Sequence, residues 1–150
     1  MSINSSINSE FDLDGRLETD SFFIADGPLS QFRLMNDARY PWLVLVPKIA
    51  AASEWVDLPE PQQQVLLSEI NTAAKILREQ FTCEKINIGA LGNIVRQLHV
   101  HVIARTSEDE AWPGPVWGHG KAEAYLATEL ELLIGKLREA FQNHLIVGAA

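Results

Sequence analysis

Apolar and polar residues alternate most strictly along Gln97-Leu98-His99-Val100-His101-Val102, and such alternation predicts a strand whose successive side chains point to opposite faces. Leu98, Val100 and Val102 suit burial against a core. Gln97, His99, His101 and, past Ile103, Arg105 share the other face, so two histidines stand side by side about 7 Å apart. Residues 22–25 form a short apolar strand closed by Asp26-Gly27-Pro28, and residues 31–36 alternate again before residues 37–41 break the pattern. Residues 42–46 are continuously apolar, which predicts a strand buried on both faces and ended by Pro47. A short strand is expected at 86–88, and residues 11–19 have room for a turn or short helix.

Helical spacing takes over elsewhere. In residues 53–80, Val65, Leu66, Ile70, Ala73, Ile76 and Leu77 form an apolar stripe, with Pro59-Glu60-Pro61 near its start. Residues 121–145 carry a second stripe through Tyr125, Leu130, Leu133, Leu137 and Phe141, and Gly135 within it suggests close packing. The pattern as a whole predicts an α+β fold, an antiparallel sheet of about five strands with two main helices. Between the histidine strand and the second helix, residues 106–120 are rich in Pro, Gly and Trp. A long loop at the strand's carboxyl end is a frequent site of function, and Trp112 and Trp117 are expected to anchor it rather than stack on a ligand.

Composition narrows the classes. The 150 residues suit a single domain, taken as 11–150 behind a polar tail at 1–10 that lacks the apolar core of a signal peptide. Twelve basic against twenty acidic residues give a formal net charge of −8, with no basic cluster, so nucleic acid and anionic membranes are not expected partners. No segment is long and apolar enough for a membrane span. The single Cys83 excludes an intramolecular disulfide and fits a reducing cytoplasm.

Three readings of the histidine pair remain open at this level. A wet strand face accommodates two solvated imidazoles without any function. A metal would need further ligands, and the distant His119 and His144, Cys83 and the scattered acids show no matching cluster. Phosphate chemistry suits the pair best, with one imidazole attacking phosphorus and the other donating a hydrogen bond or proton. The run Asn87-Ile88-Gly89-Ala90-Leu91-Gly92-Asn93 directly upstream would let backbone N–H groups approach a phosphate. Arg33, Arg39 and Lys48 are possible phosphate contacts, none of them singled out by its surroundings.

The stretch Gln97-Leu98-His99-Val100-His101-Val102-Ile103, with the preceding glycine turn, resembles the signature of the histidine-triad (HIT) superfamily of nucleotide hydrolases and transferases. The segment Leu34-Met35-Asn36 followed by Pro41-Trp42-Leu43-Val44-Leu45-Val46-Pro47 is similar to that family's two-strand unit. The resemblance implies His99 as nucleophile and His101 as phosphate contact. It further implies that Asn36 meets the ribose, that Asn93 takes the place of a phosphate-contacting glutamine, and that Gly92 supplies backbone amides. Gln97 stands where the first histidine is usual, able to orient a loop or phosphate oxygen through its amide. Leu43 stands where many members carry a supporting histidine.

On this resemblance the expected reaction is attack of His99 on the α-phosphorus of a nucleoside phosphoramidate or dinucleoside polyphosphate. A covalent nucleotidyl-histidine forms and water resolves it, with no metal or other cofactor. A homodimer with a small-molecule nucleotide as ligand is implied as well. The alternative is a nucleotide-binding or sensing module of the same fold that has lost hydrolysis.

Overall fold

The computed structural model describes residues 10–149, with side chains described through residue 144. The tail expected at 1–10 therefore falls almost wholly outside the described residues. The elements in chain order are α1 (Gly15–Asp20), β1 (Ser21–Asp26), β2 (Ser30–Met35), β3 (Trp42–Pro47), α2 (Glu60–Gln80), β4 (Lys85–Gly89), β5 (Val100–Arg105) and α3 (Ala127–Ala149). All pairings are antiparallel, and the sheet order is β1-β2-β3-β5-β4. The histidine strand thus lies between β3 and β4, its backbone donors and acceptors engaged on both sides. Every residue of β3 and of β5 is buried.

Two cores explain why β5 has no wet face. On one side Leu43, Leu45, Val100, Val102 and Ala104 pack with Leu66, Ile70, Ala73 and Leu77 of α2 and with Leu137 and Phe141 of α3. On the other, Val44, Val46 and Ile103 meet Tyr40, Trp42, Ala111 and Val116, so the 106–120 loop folds back over the histidine face. Each fully buried Leu or Val side chain contributes about 1.5–3 kcal/mol through its removal from water. Arg105 pins that loop: its buried guanidinium bonds both carboxylate oxygens of Asp109 (2.7 and 3.0 Å), Asn87 Oδ1 (2.7 Å) and the Gly114 carbonyl (2.8 Å).

Of the two main helices, the first starts at the Pro59-Glu60-Pro61 signal within residues 53–80, and the second starts later than residue 121. Residues before proline avoid helical backbone angles, and Leu58 precedes Pro59. A single 3-10 turn at Trp55–Asp57 accordingly comes first, and α2 begins only at Glu60 with Pro61 in its opening turn. Residues 121–126, expected as helix, instead form a strap whose backbone is engaged elsewhere. Ala38 N–H donates to the Glu123 carbonyl (2.6 Å) and Tyr125 N–H donates to Asn36 Oδ1 (3.0 Å). Gly135 sits in open space, with nothing within 4 Å of where a Cβ would be, so the close packing expected there is not found.

Candidate functional site

Register decides what surrounds the histidines. His101 pairs with Val44 on β3 and with Gly89 on β4, so all three share a face. Gly89 has no side chain to fill that face. The Trp117 indole occupies the space instead, where a Cβ on Gly89 would lie 3.0 Å from its ring, and it packs edge-on against His101 at 5.5 Å. Trp42, two residues before Val44, reaches diagonally across and donates its indole N–H to Nδ1 of His101 at 2.9 Å. Leu43 pairs with Val102 on the opposite face, at full burial among the helices. The side chain hydrogen-bonded to His101 is thus that of Trp42, one residue before Leu43.

These contacts settle the state of His101. An indole N–H only donates, so Nδ1 holds a lone pair and the ring hydrogen sits on Nε2. Burial, with a smaller contribution from nearby His99, pushes the imidazole down to about 3, so the ring is neutral at physiological pH. His99 lies just ahead of β5, its ring centroid 4.9 Å from that of His101. Its Nδ1 is 2.7 Å from the Gln97 carbonyl oxygen, which only accepts, so Nδ1 carries a hydrogen and, in the neutral ring, Nε2 holds the lone pair.

Both rings line a cavity of about 750 Å³. Leu91, Gly92 and Asn93 form one wall, Gly92 adopting a φ of +71° that favours glycine. Asn36, Asp37 and Arg39 form another, and Val116 to Gly120 a third. The structure thus brings together Asn36, Gly92, Asn93, His99 and His101. Gln97 does not join them. Because β5 begins only at Val100, the two-residue parity that would set Gln97 beside His99 does not hold. Its side chain clasps the segment ahead of α1, donating to the Asp12 carbonyl (2.7 Å) and accepting from Asp14 N–H (2.8 Å).

Several lining groups escape the sequence pattern: Arg16, Leu17 and Asp20 arrive from α1 and His119 from the long loop, while Arg39, one of the three basic residues considered, arrives from the β2–β3 turn. Arg39 is clamped by Asp37 (2.8 Å) and Glu110 (2.7 Å), which raises it further above its already high range and depresses Asp37. Its charge is thereby offset at the cavity wall. Arg33 is buried beside Ser21, and Lys48 pairs with Asp26 at 3.2 Å, so neither reaches the cavity. Of the two loop tryptophans, Trp117 both anchors the loop and walls the cavity. Trp112 remains 37 % exposed, its ring facing Arg105. Among the described residues, no group of three or more His, Cys, Asp or Glu is arranged to hold a metal ion, and no helix is long and apolar enough to cross a membrane.

Comparison with known proteins bears directly on this arrangement. The family model described as HIT domain matches residues 16–108. A solved histidine triad protein from Bradyrhizobium japonicum is 47 % identical, with a TM-score of 0.85 over 87 % of this chain and 98 % of its own. One from Sinorhizobium meliloti is 52 % identical, with a TM-score of 0.84 over 87 % of this chain and 96 % of its own. One from Marinobacter aquaeolei is 38 % identical, with a TM-score of 0.87 over 90 % and 98 %. No curated protein matches the chain. With its five-stranded sheet, its buried histidine pair and a match over most of its length, the chain belongs to the HIT-domain family, a superfamily of nucleotide-binding hydrolases and transferases.

Proposed function

We propose that the protein cleaves a nucleoside phosphoramidate or dinucleoside polyphosphate at the α-phosphorus through a nucleotidyl-histidine on His99. The observation that carries this reading is the 2.7 Å bond from His99 Nδ1–H to the Gln97 carbonyl, which leaves the Nε2 lone pair free to attack. His101 acts as a neutral donor, its Nε2–H bonding a non-bridging oxygen on which charge builds in the transition state. A single donor of that kind is worth about 100- to 1000-fold in rate. Asn93 and the backbone amides around Gly92 hold the other oxygens, and Asn36 lies at the sugar end. Since Tyr125 N–H already occupies Asn36 Oδ1, its amide NH₂ is the part left to face a ligand. Gln97 contributes its backbone oxygen and its clasp on residues 12–14 rather than a substrate contact.

Steady-state hydrolysis of adenosine phosphoramidate and of a dinucleoside polyphosphate, in the wild type and His99→Ala, tests the proposal. Turnover in the wild type that falls by roughly 1000-fold or more in the variant supports it. Measurable binding of adenosine monophosphate with no turnover of either compound would make the protein a nucleotide-binding module instead. We infer a homodimer and a cytoplasmic setting by family resemblance; sedimentation velocity at micromolar concentration tests the first, with a monomer as the contrary result.

A further inference from the structure

The reaction proposed above lacks a proton donor. Expulsion of an amine or alkoxide from phosphorus requires that the departing atom gain a proton as the bond breaks. His99 cannot supply it, because Nε2 is the attacking atom and Nδ1–H is engaged by Gln97. His101 cannot either: it is already neutral, and loss of its Nε2 hydrogen would leave an imidazolate. Among the described residues lining the cavity one further imidazole remains, His119.

We propose that His119 is the proton donor to the leaving group and the proton acceptor from the attacking water, with the Glu110 carboxylate beside its ring. His119 Nε2 lies 3.8 Å from Glu110 Oε2. The backbone at His119 is held, since Arg39 Nη1 donates to its carbonyl at 2.7 Å and to Glu110 Oε2 at 2.7 Å. The imidazole itself is 45 % exposed, and Gly118 and Gly120 on either side adopt φ of +79° and +61°. Trp117, two residues earlier and in contact with His101, brings the segment to the reacting centre. The other charged groups on the cavity walls are Arg16, Asp20 and Asp37, with Asp37 committed to Arg39.

His99 Nε2 bonds to phosphorus while the bond to the leaving atom breaks, its electron pair passing to that atom, which takes the proton of the His119 imidazolium. Water then bonds to phosphorus and gives one proton to the now neutral His119, and the phosphorus–nitrogen pair returns to His99. This assignment rests on the His99 reading, and one experiment separates the two. Wild type and His119→Gln are compared on an alkylamine phosphoramidate of adenosine monophosphate and on its 4-nitrophenyl ester, whose phenolate leaves without a proton. The expected loss in kcat/KM is about 100-fold on the amidate, at least about 30 times larger than the loss on the ester, with the alkaline limb of the amidate profile altered. Equal losses on both substrates, or none on the amidate while the wild type still forms its His99 adduct, would overturn the role of His119 alone. Turnover of neither substrate by the wild type would overturn the His99 reading and this one together.

Discussion

Trp42 Nε1 lies 2.9 Å from Nδ1 of His101, and this single bond assigns the histidine its tautomer. The ring has its hydrogen on Nε2 and offers it to the cavity. Removing the indole N–H while keeping an aromatic ring should release that constraint. Trp42→Phe is expected to lower kcat/KM by about 10- to 100-fold, and Trp42→His, which again supplies an N–H, to recover part of the loss. Nitrogen-15 spectra of the histidines check the cause: in the wild type His101 should show a protonated Nε2, and in Trp42→Phe a mixture.

Since burial holds His101 at about 3, it stays neutral across the range from about pH 5 to 8 in which histidines ordinarily titrate. The pH–rate profile should therefore contain no limb from His101 there. His101→Gln, which keeps an N–H donor, should change the height of the profile without removing a limb from it. Loss of a limb in that variant would mean that His101 titrates during turnover.

Gly89 provides the floor for Trp117. A side chain at this position would meet the indole at 3.0 Å, so Gly89→Val should push Trp117 out of its place against His101. The expected result is a stability loss of about 1–3 kcal/mol from overpacking together with a rise in KM. Denaturant unfolding followed by tryptophan fluorescence, alongside kinetics, measures both.

Glu69 ties α2 to the β1–β2 hairpin, accepting from Leu29 N–H (3.0 Å), Ser30 N–H (3.0 Å) and Ser30 Oγ (2.8 Å). Burial raises its carboxyl above the ordinary 4.5 despite those bonds. The folded protein then binds more protons than the unfolded chain in that window. Its contribution is thus complete below about pH 4.5 and declines as pH rises through the raised value. Glu69→Gln should flatten this part of the stability–pH curve in thermal melts, whereas Glu69→Ala, which orphans the three donors, should cost about 2–4 kcal/mol.

Much of this was legible in the chain. The five strands, the all-buried β3 and the pairing of His99 with His101 follow from alternation and apolar runs, because those patterns reflect which side chains leave water. What was not legible came from long-range contacts that local pattern does not encode. The strap at 121–126 has helical spacing, yet its backbone bonds Asn36 and Ala38, and those partners lie more than eighty residues away. Parity carried the strand back to Gln97, but the sheet ends at Val100 and lets that side chain turn to residues 12 and 14. Trp42 read as core, and its N–H bond to His101 depends on a diagonal register between strands that only the sheet defines. His119 was a lone histidine in a loop until Arg105 and Asp109 folded that loop over β5.

The most direct measurement is single-turnover incubation with α-labelled adenosine phosphoramidate, followed by a quench that preserves acid-labile bonds and by peptide mapping. A transient nucleotidyl adduct is expected on the peptide carrying His99, formed and lost at rates that match product release and absent from His99→Ala. Product formed with no adduct, or with the adduct on another residue, would contradict the His99 reading.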